Sequence, residues 1–267
     1  MITLFQRVKY WLKMLLWVVN GYLGKRFSLS GPQKLTVLIT YFNPARMSRI
    51  DHQLRNIFKC SFVEKVIISN HNSDVDIRSL IKVSEPRLQI INQSVRKGCG
   101  YRWHIASEIN PEYLIVIDDD LFLYPGQLTN LFKFLLAEPK IPHGLSGINC
   151  LPDGSYEFRD RENRETDFLC ETYALTREHL AHYMKTYAEL ASNEQIIRIV
   201  NSTTDFILLS HTGVSRPKIH DVGRLFRDET FKVEGVAVHK KEMFNEYIEL
   251  TQYAIKINHL SRVGNTD

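Results

Sequence analysis

Three carboxylates in a row, Asp118, Asp119 and Asp120, follow the apolar run Tyr113-Leu114-Ile115-Val116-Ile117 without a break. Adjacent Asp residues repel one another and disfavour regular structure, so a triplet at the end of a buried strand predicts a bound cation. Oxygen donors of this kind specify a hard ion. The position agrees, because ligands of open α/β sheets collect in the crevice beyond the carboxyl ends of the strands. The competing explanation is an acidic turn that closes the strand and holds nothing.

The elements that must position the triplet can be read from pattern. Leu35 to Tyr41 is a nearly continuous β-branched and apolar run, as in a strand covered on both faces, and Asn43-Pro44 breaks it. Ile50, Leu54, Ile57 and Phe58 recur at helical spacing; Val63 to Ser69 and Leu88 to Ile91 read as strands, and Tyr101 to Ile109 as a helix before the acidic strand. Strands alternating with helices predict βαβ units and a mostly parallel sheet. Polar residues close each strand, which places them along one edge. After the triplet, Pro125 lies near the start of a helix containing Leu128, Leu131, Phe134 and Leu135. The pattern then changes. Gly144 to Cys150, Tyr156 to Arg159 and Asp167 to Tyr173 read as strands of a mixed sheet, with a charged loop from Asp160 to Thr166. Helices over Arg177 to Thr186 and Ser192 to Ser210, a strand over Pro217 to Val222, and an amphipathic helix around Phe244, Ile248, Ala254 and Ile255 complete the chain.

With 267 residues, 44% hydrophobic and 24% charged, the chain has the size for one substantial core. Two units are expected: an amphipathic segment and linker over residues 1–32, and a single catalytic domain over 33–267. The net charge of +4 is unevenly spread, since Arg7, Lys9, Lys13, Lys25 and Arg26 stand in the first thirty residues with no acid among them. Without those five, 29 basic residues face 30 acidic ones, so no broad basic field for nucleic acid exists. Leu4 to Leu23 combines the cations with Trp11, Leu12, Leu15, Leu16, Trp17, Val18 and Val19. Its unbroken apolar run, Met14 to Val19, is far shorter than the ~20 residues that span a bilayer. Residues 4–23 therefore predict an amphipathic helix in peripheral contact with an anionic membrane interface; a helix docked on its own domain or on a partner is the alternative. Charges interrupting the core argue against a cleaved signal. Cys60, Cys99, Cys150 and Cys170 lack metal-binding spacing and read as thiols of a reducing compartment.

A parallel half, an acidic strand end and a mixed half, in that order, resemble nucleotide-sugar glycosyltransferases of the GT-A fold, whose signature is an Asp-x-Asp at this place. Within that fold the sequence is similar to the carboxy-terminal domain of exostosins and the exostosin-like transferases of family 64. The matching pieces are Thr40-Tyr41 with Arg46, Val66 to Asn70, Tyr101-Arg102, Val116 to Asp120 and Thr204-Asp205 through His211. The resemblance implies a Rossmann-like mixed sheet and a metal-dependent transfer of a sugar from a UDP-sugar to a carbohydrate or glycolipid hydroxyl. An N-acetylhexosamine is the expected sugar, with retained anomeric configuration.

By the same analogy Asp120 would ligate Mn²⁺ or Mg²⁺, with Asp118 completing the ion's surroundings and Asp118 and Asp119 touching ribose or sugar. Tyr41, Asn43, Arg46, Asn70, Asn72 and Arg102 would hold the nucleotide, although Asn43 and Asn72 also suit turns. Asp205 would face the acceptor hydroxyl, or else cap the helix that follows it. The related enzymes carry an acidic pair there, whereas this sequence has Thr204. His220 would be the third metal ligand used in many transferases of this fold or, since the family 64 pattern needs no histidine there, a solvent-facing residue, and Arg224 would neutralise the leaving diphosphate. Glu171 stands where the relatives have small residues; it would bind donor-sugar hydroxyls or stabilise positive charge at the anomeric carbon, or else form a buried salt bridge or occupy an exposed strand position. The expected location is the cytoplasmic face of a membrane, with a membrane-anchored protein of the secretory pathway as the alternative. Two rivals remain: an inactive carbohydrate-binding protein of the same fold, kept open by Thr204, and a haloacid-dehalogenase-like phosphatase, disfavoured because its motif belongs on a first strand.

Overall fold

A computed structural model describes residues 4–228 and 243–263. Its main sheet has eight strands. Four come from the first half: β1 (Leu35–Tyr41), β2 (Val63–Asn70), β3 (Leu88–Asn92) and β4 (Tyr113–Asp118). They pair in parallel in the order β3-β2-β1-β4. Helices α2 (Pro44–Met47) and α3 (Ile50–Ile57) follow β1, and α4 (Tyr101–Ile109) precedes β4. The predicted parallel half is present with its boundaries nearly unchanged.

Alternation along the strands divides the core. Val37, Ile39, Ile115 and Ile117 face one apolar cluster with α3 and α5 (Pro125–Ala137), while Leu38, Leu114 and Val116 face a second cluster with α4 and α6 (Arg177–Glu189). The sheet is thus covered on both faces, which is why its central strands read as continuous apolar runs.

The second half is mixed, as expected, but more broken than the pattern indicated. A short β5 (Leu121–Phe122) follows the triplet. Gly144 to Cys150 divides at Leu145 into β6 (His143–Gly144) and β7 (Ser146–Cys150), followed by β8 (Tyr156–Asp160). The charged loop contains β9 (Arg164–Glu165). Asp167 to Tyr173 breaks at Glu171, whose φ of 64° lies in the left-handed region and cannot continue a strand, giving β10 (Phe168–Cys170) and β11 (Thr172–Thr176). β11 runs antiparallel to β4, and the sheet continues through β6, β12 (Lys218–Ile219) and β9. β10, β7 and β8 form a separate antiparallel sheet, and β13 (Phe226–Arg227) pairs with β5.

The expected helix over Ser192 to Ser210 is two helices, α7 (Glu194–Ile199) and α8 (Asp205–Ser210), joined by a wide π turn at Val200–Thr204. β-Branched Val200, Thr203 and Thr204 weaken the α-helical preference there. The last helix is α9 (Phe244–Val263).

Residues 4–23 form helix α1 (Leu4–Leu23), docked by one face on α3. Trp17 is fully buried, donates Nε1–H to the Leu123 carbonyl at 3.1 Å, and packs on Phe122 at 4.7 Å. Asn56 Nδ2 of α3 donates to the Trp17 carbonyl at 3.0 Å. Among the described residues no helix is long and apolar enough to cross a membrane.

Candidate active site

Strand alternation continues into the triplet and sends its carboxylates to opposite sides. Asp118, in phase with Leu114 and Val116, meets Arg102 of α4, whose Nη1 donates to Asp118 Oδ1 at 2.5 Å. Asp119 turns to the other face, where Arg46 of α2 pairs with its Oδ1 and the Phe42 amide donates to its Oδ2 at 3.3 Å. Asp120 lies 3.5 Å from Arg46 Nη2. The side chains of Asp118 and Asp120 keep 31% and 17% of their surface exposed, against 11% for Asp119. Burial raises the Asp118 carboxyl to about 6 despite Arg102, with the Asp119 charge adding to the rise. Burial, and then the negative charge of Asp119, hold Asp120 well above the usual carboxylate range. Each carboxyl is held above its ordinary range although an arginine stands beside it.

Arg102 ties this strand end to α8. Its Nε donates to Asp205 Oδ2 at 2.8 Å and its Nη2 to the Tyr173 hydroxyl at 3.2 Å. Trp103 Nε1 donates to the same Asp205 oxygen at 2.7 Å, and Cys99 Sγ donates to Oδ1 at 3.2 Å. Close glycine packing brings the two segments together: a Cβ on Gly100 would lie 2.9 Å from Asn201 Cα, and the Gly100 amide donates to the Asn201 carbonyl at 3.0 Å. Asp205, expected to face an acceptor, is instead 1% exposed and held by these three donors. As placed it positions Arg102. Thr204 is also buried and shares a hydrogen bond with Thr251 of α9 at 2.8 Å.

The other expected nucleotide contacts all make hydrogen bonds within the chain. The Tyr41 ring is fully buried and its hydroxyl donates to Gln53 Oε1, while Gln53 Nε2 donates to the Leu121 carbonyl at 3.2 Å, holding the turn just after the triplet. Asn43 Oδ1 caps α2 by accepting from the Ala45 amide at 2.9 Å. Asn70 is fully buried, bonded through Nδ2 to the Val75 carbonyl and Asn92 Oδ1 and through Oδ1 to the Asn72 amide. Asn72 Nδ2 donates to the Phe42 carbonyl at 3.1 Å and its Oδ1 accepts from the Asp74 amide, so it too shapes a turn. Arg46, only 5% exposed, grips the triplet.

His220 is not brought to the carboxylates. Its ring stacks on Phe134 at 3.8 Å and shares a hydrogen bond with His143 at 2.8 Å. Burial lowers its pKa to about 4. Arg224 is exposed and lies close enough to Lys13 of α1 to depress that ammonium, beyond what burial does. Arg227 on β13, not Arg224, joins the acids that border this strand end. Its Nε and Nη2 donate to the two Glu171 oxygens at 2.7 Å each, and Nη1 donates to Asp160 at 2.8 Å. Arg49 pairs with Asp228, whose amide donates to the Asp120 carbonyl at 2.8 Å.

The sequence reading passed over Arg227, Arg49 and Asp228. Nothing in their local pattern marks them, because two-residue β13 is specified by its pairing with β5. It also passed over Phe42, half-buried at the end of β1 with Arg96 stacked over its ring at 4.2 Å. An aromatic directly after a parallel strand, beside Asn43-Pro44, was the available signal.

Among the described residues, no three His, Cys, Asp or Glu side chains converge as a ready-made metal cage. A hard divalent ion that keeps water and takes diphosphate oxygens requires only one or two carboxylates. Asp118 and Asp120, the two most exposed carboxylates of the triplet, would supply them.

No protein-family model matches the sequence, and no curated protein matches it. By fold, 352 solved chains match. One is GalNAc-T7 with UDP, GalNAc and Mn²⁺, a GT-A glycosyltransferase, at a TM-score of 0.54 and 10% identity, covering 75% of this chain. The chain spans 45% of that protein's length. At such identity the likeness shows the fold: α/β of GT-A type, with a mixed, mostly parallel Rossmann-like sheet and an N-terminal helix. It does not single out the exostosin family.

Proposed function

We propose that this chain is a metal-dependent glycosyltransferase that moves a sugar, an N-acetylhexosamine being the first to try, from a UDP-sugar to a carbohydrate hydroxyl with retention. The observation that carries this is the pair Asp118 and Asp120, the most exposed carboxylates of the triplet, at the carboxyl edge of a GT-A sheet. The neighbour's bound UDP, GalNAc and Mn²⁺ support the choice of donor class and ion. Asp118 and Asp120 would hold the divalent ion, which supplies positive charge against the developing diphosphate. Arg46 and Arg102 fix the two carboxylates from opposite faces. Phe42 offers an aromatic surface next to Asp119 for a base, and Arg96 a nearby cation for phosphate. Glu171 and Arg227 border the same strand end, because the Asp118 amide donates to the Glu171 carbonyl at 2.9 Å.

A second reading is a binding protein of the same fold without turnover. It is favoured by Asp205, whose buried carboxylate is already engaged by three donors. UDP release and sugar transfer, measured over a panel of UDP-sugars with and without Mn²⁺, separate the two. Transfer that needs Mn²⁺ and falls at least ~100-fold in Asp120→Ala is expected. Tight UDP-sugar binding with no turnover on any acceptor would select the second reading. Donor affinity unchanged in Asp120→Ala, with no turnover, would sink the first.

A further inference from the structure

The docked face of α1 leaves its opposite face in solvent, and that face is apolar. Val8, Trp11, Leu12, Leu15, Leu16, Val19 and Leu23 are each between 39% and 83% exposed, while Tyr22 packs beside His52 and Arg55 of α3. At about 100° per residue the former fill an arc of roughly 140°, centred opposite Met14 and Trp17. This is a surface helix with two apolar faces, of which the described residues cover one. Residues 1 to 30 contain no acid, and Lys9, Lys25 and Arg26 are exposed around the stripe. Lys13 sits half-buried at its edge, near Lys9 and Arg224, so like charges crowd together there. An apolar stripe rimmed by cations is complementary to lipid headgroups that carry negative charge above an acyl boundary.

We infer that the outward stripe of α1 is a docking surface for an anionic bilayer, lying in the headgroup plane with Trp11, Leu12, Leu15 and Leu16 inserted and Lys9, Lys25 and Arg26 on phosphate. The inference stands independently of what the carboxylates bind. The inner face of the helix fixes the geometry. Trp17 joins α1 to Leu123 and Phe122, immediately after the triplet, and to Asn56 of α3. Lipid on the outer face would therefore stand about one helix diameter, ~10–12 Å, from the segment that leaves Asp120. The membrane would hold the acidic strand end at a set height.

The tryptophans provide a built-in probe. Of the three, Trp17 and Trp103 are fully buried and Trp11 is 62% exposed, so a shift in emission on lipid addition reports Trp11. The full chain is to be mixed with vesicles of phosphatidylcholine alone or with about 30% phosphatidylglycerol, and followed by flotation and emission. Co-flotation with the anionic vesicles and a blue shift are expected, with binding at least ~10-fold weaker on the neutral vesicles and weakened by salt. Replacing Leu12, Leu15, Leu16 and Val19 together by Gln, which keeps the helix propensity, should reduce partitioning by about 100-fold or more. Because all four are exposed, the urea midpoint and UDP affinity should stay as they were, which separates lost docking from misfolding and from failure of the enzymatic proposal. Equal flotation of the wild type and the fourfold variant would overturn the inference. So would a dimer, or a stoichiometric complex with a soluble protein, that depends on the stripe while vesicles are ignored.

Discussion

Replacing Asp205 by Asn tests whether this carboxylate acts on substrate or on Arg102. The wild-type side chain is 1% exposed and accepts from Arg102 Nε, Trp103 Nε1 and Cys99 Sγ at 2.8, 2.7 and 3.2 Å. Asn keeps the volume but removes the charge, and it turns an N–H toward one of these donors. Breaking one side of a buried ion pair costs about 3–5 kcal/mol. Asp118 still holds the other arm of Arg102, so the lower part of that range, about 3 kcal/mol, is expected. Equilibrium urea unfolding reads this as a lower midpoint at unchanged slope. UDP-sugar affinity should fall as well, because Arg102 orients Asp118. Combining Arg102→Met with Asp205→Leu removes both charges. That double variant should be less destabilised than the two single changes added together, by about 2 kcal/mol or more. The opposite result is clear-cut: if Asp205→Asn leaves unfolding and donor affinity untouched yet abolishes transfer, Asp205 is the acceptor's base and the positioning argument fails.

Two further predictions concern stability. His71, His179 and His220 are 3%, 2% and 8% exposed, and burial lowers each to about 4 from 6.5. The unfolded chain takes up these protons first, so stability is fully present above pH 6.5 and is lost as pH falls toward 4, by about 1 to 2 kcal/mol per histidine at pH 5. Asp118 and Asp120, held above the usual carboxylate range, take up protons in the folded state over the same window and offset part of this loss, so the check is a variant: a fall of the urea midpoint between pH 7 and pH 5 that is the same in His220→Gln as in the wild type would contradict this. Trp17→Ala removes a fully buried aromatic that joins α1, β5 and β13, and should cost about 3–5 kcal/mol. A thermal midpoint unchanged in that variant would mean that α1 does not dock as described.

How much was legible follows from the range of the interactions. β1 to β4 and α4 could be read almost to the residue because burial on both faces and helical spacing leave marks in consecutive positions. Even the split of Asp118 and Asp119 between Arg102 and Arg46 follows from strand alternation. Asp205 was recognisable as a special residue, but its direction was not, since the wide turn at Val200–Thr204 and the close packing of Gly100 on Asn201 set it. The break at Glu171 was hidden in an apolar run, and nothing local announces a left-handed glutamate. Tyr41 and Asn70 were misread for a related reason: a polar group at a strand end looks the same whether it points at a ligand or closes a turn. His220 and Arg224 were assigned by family analogy, and the packing of Phe134, His143 and Lys13 around them was beyond any local pattern.

The guanidinium of Arg102 spends its donors in three directions at once, on Asp118, Asp205 and Tyr173. A lysine could not reach all three, and each partner alone is a liability once the arginine is gone. Across descendants of this sequence, positions 102, 118 and 205 should therefore drift as a unit: inherited together, or replaced together. A lineage that keeps Asp118 is then obliged to keep Asp205, 87 positions away in the chain, although that side chain is almost wholly buried.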